Sequence, residues 1–287
     1  MCARLLGAGH TVVVYDRDPD ALERAVAHGA AATDSARECA RRCDVLMTSL
    51  PRPDHVHQVM CDDGALGALS PTALWVDLTT NRPVLIQSLA VDAPRGVDVV
   101  DAPVTGAVDG ARHGRLTLFV GGEPRATTRA RPILENLGLV IECGPLGSGN
   151  VVKLVTNQLW FVTAAAFGEG LATGMANGVD LGTLWGAIKA SVGDSFVARH
   201  DAPSIFAGHY DPSFPLDLCL KDLGLLDELM DAVGADLPMT EAAHRTFRRA
   251  ADRYGTDAGE MHVARRIEDD AGIEMRLAGD WTPPWEA

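Results

Sequence analysis

Cys143-Gly144-Pro145-Leu146-Gly147-Ser148-Gly149 divides the chain into two unlike patterns. Three glycines and a proline within seven residues resist both helix and strand, and the spacing of apolar residues changes across them. Before this stretch, up to about Val140, short apolar runs at 12–15, 45–50, 74–77, 97–100, 116–120 and 139–141 have strand length and strand composition. Between them, residues 19–28, 53–60, 83–91 and 124–137 read as helices. Each opens on a proline, whose missing N–H is harmless in a first turn. Continuous apolar strands alternating with helices predict a largely parallel sheet covered on both faces. After the stretch the strand signals vanish, and residues 151–176 are apolar on nearly all sides, as in a helix enclosed by other helices. The expectation is a Rossmann-like α/β domain over residues 1–146 and an all-α domain over 147–287, with a ligand cleft at the hinge.

Composition narrows the function. A length of 287 residues suffices for two domains with sizeable cores. The formal net charge of -14 repels phosphate backbones, and no basic run interleaved with aromatics overrides it, so nucleic acid is excluded as a partner. Six cysteines show neither CxxC pairs nor framework spacing, and read as reduced thiols of a cytoplasmic protein. Nine histidines supply no HExxH, and the rings of His55 and His57 diverge, so no metal site is expected. The most apolar stretch, 159–168, is short and lies close to Lys153, Asn157 and Glu169, which argues against a membrane span. The ending Trp281-Thr282-Pro283-Pro284-Trp285 suits either a subunit contact or a loose tail.

Charge usage singles out three residues. Lys153, Lys189 and Lys221 are the only lysines, against 22 arginines. Guanidinium keeps its proton under protein conditions, whereas an ammonium can give one up and recover it. Lys153 begins an apolar helix with Asn157 one turn on, and Lys189 reads as a solvated helix charge. Near the start, residues 12–15 lead into Asp16, placed to accept hydrogen bonds from both hydroxyls of an adenosine ribose at a strand's carboxyl end. Such a unit needs a preceding strand and a glycine-rich turn that lets backbone N–H groups approach a pyrophosphate. Met1 to His10 reads instead as the tail of a helix, so the natural product is expected to start upstream, with GxGxxG just before Met1. An in-frame stop there would contradict this. Asp16 and Asp18 favour NAD over NADP, although Arg17 could meet a 2′-phosphate.

Three ordered motifs carry a resemblance. Asp101-Ala102-Pro103-Val104-Thr105-Gly106-Ala107 is followed by Gly114, Leu116-Thr117 and Val120-Gly121-Gly122. Then come Gly147-Ser148-Gly149-Asn150-Val151-Val152-Lys153-Leu154-Val155-Thr156-Asn157 and, later, Phe214 with Lys221-Asp222-Leu223. From Met1 to about Pro238 the chain resembles the β-hydroxyacid dehydrogenase family, which includes 3-hydroxyisobutyrate dehydrogenase and tartronate semialdehyde reductase. The resemblance implies NAD, or NADP, as cofactor and a short hydroxyacid as substrate. It also implies a C-terminal domain like that of 6-phosphogluconate dehydrogenase and assembly as a homodimer or homotetramer. It makes Lys153 the catalytic lysine and Asn157 its helix-face partner, while Thr105, Gly106 and Ala107 form the substrate-carboxylate loop. Leu50, Pro51 and Thr80 fall on the nicotinamide side, Lys221 reaches the cofactor, and Asp222 touches substrate or fixes Lys221. The loop departs from the common Ser-Gly-Gly by two methyl groups.

The chemistry expected is hydride exchange between an alcohol carbon and nicotinamide, with Lys153 moving the hydroxyl proton. An ammonium of ordinary pKa suits reduction; oxidation calls for a lowered one, which burial and the positive nicotinamide ring can supply. Two rival readings are an imine reductase-like NADPH enzyme, against which Lys153 argues, and a non-catalytic dimeric scaffold without its nucleotide loop.

Overall fold

The computed structural model describes residues 1–279 and 281; the Thr282-Pro283-Pro284-Trp285 ending lies outside them. It forms two compact units, Met1–Lys153 and Leu154 onward. In the first, α1 (Cys2–Gly7), β1 (Val13–Val14), α2 (Pro19–Ala27), β2 (Ala31–Ala32), α3 (Ala36–Arg41), β3 (Val45–Thr48), α4 (Pro53–His57) and β4 (Leu74–Asp77) follow in order. Then come α5 (Pro83–Asp92), β5 (Asp98–Asp101), β6 (Val104–Thr105), α6 (Ala107–His113), β7 (Leu116–Gly122), α7 (Pro124–Leu134) and β8 (Gly138–Gly144).

Local chemistry explains these boundaries. Asp18 accepts from Asp20 N–H and caps α2, and Ser35 accepts from Glu38 N–H and caps α3. Proline occupies the first turn of α2, α4, α5 and α7. The helix expected over 53–60 is α-helical only to His57 and continues as a π-helical turn, Gln58–Asp62. Likewise α7 carries Pro132 inside and stops at Leu134, short of the expected 137.

Strands β3, β4 and β5 run parallel in register, Val45 beside Leu74 and Leu74 beside Asp98. β7 pairs antiparallel with β5 and β6 and parallel with β8, so the sheet is parallel on one side and mixed on the other. β1 and β2 form a separate parallel pair. Alternation of side chains gives each face its own core. Leu74, Val76, Val100, Leu118 and Val120 pack with Ala126, Ala130 and Leu134 of α7 on one face. Trp75 and Val99 pack with Val56, Met60, Ile86 and Leu89 on the other. Residues 143 and 144, expected in the hinge, belong to β8, because pairing with β7 extends the strand to Gly144.

The second unit is helical: α8 (Ser148–Ala176, which begins in the first unit), α9 (Leu181–Lys189), α10 (Ala202–Ala207), α11 (Leu216–Met230), α12 (Pro238–Tyr254) and α13 (His262–Ala271). Its core joins Leu154, Phe161, Ala164, Phe167 and Leu171 of α8 to Leu216, Cys219 and Leu223 of α11 and Phe247 of α12. Phe161 and Phe247 meet edge to face at 5.0 Å. By length and composition α8 could cross a bilayer; five of its side chains instead belong to this core. Lys189, read from the sequence as a solvated charge, lies over the Trp185 ring with its Nζ 3.2 Å from the centroid.

Candidate active site

The carboxyl ends of β3, β4 and β5 carry polar side chains that have no place in an apolar core unless they bond to one another. They do. Thr48 Oγ1 donates to Asp77 Oδ1 at 2.7 Å and accepts from Trp75 Nε1 at 3.0 Å. Asn81 Nδ2 donates to Asp77 Oδ2 at 3.0 Å, and Thr79 Oγ1 accepts from Leu50 N–H at 3.0 Å. Asn81 N–H donates to Asn150 Oδ1 at 2.6 Å, carrying the network from the β4 end to the first turn of α8. There Asp101 Oδ2 accepts from Asn150 N–H at 2.7 Å and Asn150 Nδ2 at 3.0 Å, while its Oδ1 accepts from Gly147 N–H at 2.7 Å. Asp77, Asn81, Asp101 and Asn150 are all fully buried. Desolvation raises the pKa of Asp77, and raises that of Asp101 to about 6 despite the donors around it.

Two glycines let this turn of α8 press onto the sheet. A Cβ on Gly149 would stand 2.1 Å from the Phe119 carbonyl oxygen, and one on Gly121 would stand 2.4 Å from Asp101 Oδ1. Lys153 follows on the next turn, only 8 % exposed. Asn157, four residues further along the same continuous helix, shares its face. Asn157 Nδ2 donates to Asp222 Oδ2 at 2.7 Å, and Lys221 Nζ pairs with Asp222 Oδ1 at 2.6 Å. Asp222 is 1 % exposed and links Asn157 to Lys221.

The Thr105-Gly106-Ala107 stretch is exposed at the junction of β6 and α6. Gly106 has φ 116° and Ala107 φ 50°, so the alanine holds a left-handed conformation that glycine adopts more readily. Asp16 stands exposed just after β1, its Oδ1 accepting Asp18 N–H at 2.9 Å in a turn that fixes the carboxylate. Arg17 reaches Gln58 Oε1 at 3.5 Å and Asp63 Oδ2 at 3.6 Å. Leu50 is held through Thr79, while neighbouring Pro51 is exposed and Thr80 half-buried. The fixed Asp16 carboxylate fits a ribose diol. No GxGxxG pattern occurs in residues 1–287. Among the described residues no group of three or more His, Cys, Asp or Glu side chains could hold a metal ion.

Asp101 and Asn150 lie within the sequence motifs, and Thr48, Asp77 and Thr79 within the apolar runs or beside Thr80, yet none of them, nor Asn81, has a role that the sequence assigns. The available signal was polar residues at the ends of otherwise apolar strands.

Residues 1–144 match the family of the NAD binding domain of 6-phosphogluconate dehydrogenase, and residues 147–267 match that of the NAD-binding domain of NADP-dependent 3-hydroxyisobutyrate dehydrogenase. The chain is 35 % identical to a 3-hydroxyisobutyrate dehydrogenase of Pseudomonas aeruginosa, over 94 % of this chain and 95 % of that one. It is 34 % identical to an NAD-dependent L-serine dehydrogenase of the same organism, over 94 % and 93 %. Among solved structures, Mycobacterium tuberculosis 3-hydroxyisobutyrate dehydrogenase with L-serine superimposes with a TM-score of 0.85 at 30 % identity, covering 93 % and 94 % of the two chains.

Proposed function

Because the chain belongs to the β-hydroxyacid dehydrogenase family and is an NAD(P)-dependent dehydrogenase, we propose that it interconverts a three- or four-carbon 3-hydroxy acid and its semialdehyde, with Lys153 as the proton-transfer group. The observation that carries this reading is a buried lysine on α8 with an asparagine one turn away. Hydride exchange at the carbinol carbon is the chemistry that a bound nicotinamide cofactor would supply. The chain's own part is to handle the proton. Lys153 Nζ takes it from the hydroxyl oxygen in oxidation and returns it in reduction. Asn157, held by Asp222, orients the ammonium and the substrate oxygen.

Thr105, Gly106 and Ala107 receive the substrate carboxylate, through a hydroxyl and backbone N–H groups. Asp16 takes the adenosine ribose with Arg17 beside it. Leu50, Pro51 and Thr80 line the nicotinamide side, and Lys221 contacts the cofactor. The substrates named for the relatives support the class, since 3-hydroxyisobutyrate and L-serine both place a primary hydroxyl two carbons from the carboxyl carbon. The active form is a dimer or a tetramer, a reading supported by Val151, Val155 and Leu159, exposed at four-residue intervals along α8.

The deciding experiment is a panel of 3- and 4-carbon hydroxyacids, 3-hydroxyisobutyrate and L-serine among them, assayed with NAD and with NADP for reduced nicotinamide. Turnover of at least one acid is expected. A panel in which no acid reduces either cofactor overturns the reading.

A further inference from the structure

We propose that Asp101 is a positioning residue for Lys153, its carboxylate gripping the first turn of α8 and so fixing where the next turn delivers the ammonium. The inference rests on the functional reading above for the role of Lys153, but its geometry is independent of that reading. Three donors converge on one carboxylate: Gly147 N–H, Asn150 N–H and Asn150 Nδ2, at 2.7, 2.7 and 3.0 Å. Gly147 precedes α8 and Asn150 lies in its first turn, so both the height and the rotation of the helix end are set from the β5 end. Lys153 lies three residues beyond Asn150, too close for helix bending to absorb a misplacement.

Two further observations point the same way. Gly121 and Gly149 leave no room for a Cβ at this contact, so the close approach is built into the sequence. The carboxylate is also held at a cost. It is fully buried, and desolvation outweighs the three donors, raising its pKa. An anion kept in such a place, where burial disfavours its charge, fits a functional demand more closely than a packing one. The same network reaches the backbone of Leu50 through Asn150, Asn81, Asp77 and Thr79, so one rigid frame carries both Lys153 and the Leu50-Pro51 loop.

The test compares the wild-type chain with Asp101→Asn, Asn150→Ala and Lys153→Ala at pH 7.5. In Asp101→Asn the amide offers an N–H where Gly147 N–H needs an acceptor, which releases one side of the grip. kcat is expected to fall roughly 10- to 100-fold, the scale of a misplacement of about 1 Å. The hydroxyacid KM should change less than about threefold and the melting temperature by only a few degrees. Asn150→Ala should show the same kcat-dominated loss, and it stands in if Asp101→Asn fails to fold. Wild-type kcat in either folded variant, with Lys153→Ala inactive, overturns the positioning role and leaves the enzyme reading intact. Turnover in Lys153→Ala equal to wild type removes the proton-transfer role of Lys153, and with it the purpose of the positioning, while leaving the dehydrogenase activity itself standing. Amide hydrogen exchange over residues 147–154 then decides the grip by itself. Exchange roughly tenfold faster there in Asp101→Asn is expected, with protection of α11 unchanged, and unaltered exchange overturns the inference.

Discussion

Lys153 is the residue proposed to move the proton, and the contrast between ammonium and guanidinium gives that proposal a clean test. Lys153→Ala should lower kcat about 10²- to 10⁴-fold, the usual contribution of a positioned acid or base, with nucleotide affinity nearly unchanged by fluorescence titration. Lys153→Arg keeps the charge and cannot exchange the proton at working pH, so its kcat should stay within about tenfold of the alanine variant. Full activity in the arginine variant excludes the proton-transfer role. Asp101 makes a second prediction, in stability. Its folded pKa, about 6, lies above the ordinary 3.8, so between those values the folded state binds the proton more tightly than the unfolded one. This group's contribution to stability is therefore greatest below about pH 4, declines as pH rises to about 6, and is level above. The change is about 3 kcal/mol, at roughly 1.4 kcal/mol per pKa unit. Urea unfolding from pH 4 to 7 should show the wild type losing roughly that much relative to Asp101→Asn. A constant difference between the two proteins contradicts the assignment.

At the scale of elements, the junction between the sheet and α8 depends on what glycine lacks. A methyl at Gly149 meets a backbone carbonyl oxygen at 2.1 Å, and neither the strand nor the first helical turn can yield without loosening the bonds to Asp101. Gly149→Ala should cost at least about 1 to 3 kcal/mol in denaturant unfolding. Gly170→Ala is a control on the same helix, since nothing lies within 4 Å of the added carbon, and it should be neutral or slightly stabilising. Equal effects at the two positions would mean that helix propensity, and not the close contact, governs the site. Most of this level was legible beforehand, since apolar runs located the longer strands and prolines located the helix starts. The two-residue strands β2 and β6 were not, because a strand of that length has no periodicity and exists only through its partners. Nor was the π-helical turn after α4, which no local residue preference announces.

For the whole molecule, α8 is the organising fact. It supplies one side of the helical core through Leu154, Phe161 and Leu171, yet leaves Val155 and Leu159 exposed at 44 and 65 %. Burying such side chains is worth about 1.5 to 3 kcal/mol each, and a second copy is the surface proposed to cover them. Light scattering at micromolar protein should give at least about twice the 30.4 kDa chain mass. A monomer at that concentration contradicts the assembly. Val155→Glu with Leu159→Glu should shift the mass toward one chain if this face is the contact.

The sequence by itself determined the order of the longer strands and of the proline-led helices, the change from α/β to all-α, and the motifs whose resemblance sets Lys153, Asn157 and the Thr105-Gly106 loop apart. The elements follow from periodicity and breakers, which are local, and the roles of the motifs from what the resemblance implies. Only the tertiary structure decided that Asp101, Asn150, Asn81 and Asp77 form one buried network, and that Asp222 joins Asn157 to Lys221. The reason is physical: the partners stand up to 69 residues apart along the chain. A buried carboxylate is tolerated only where folding brings its donors within hydrogen-bond reach, and local sequence preference does not encode that meeting.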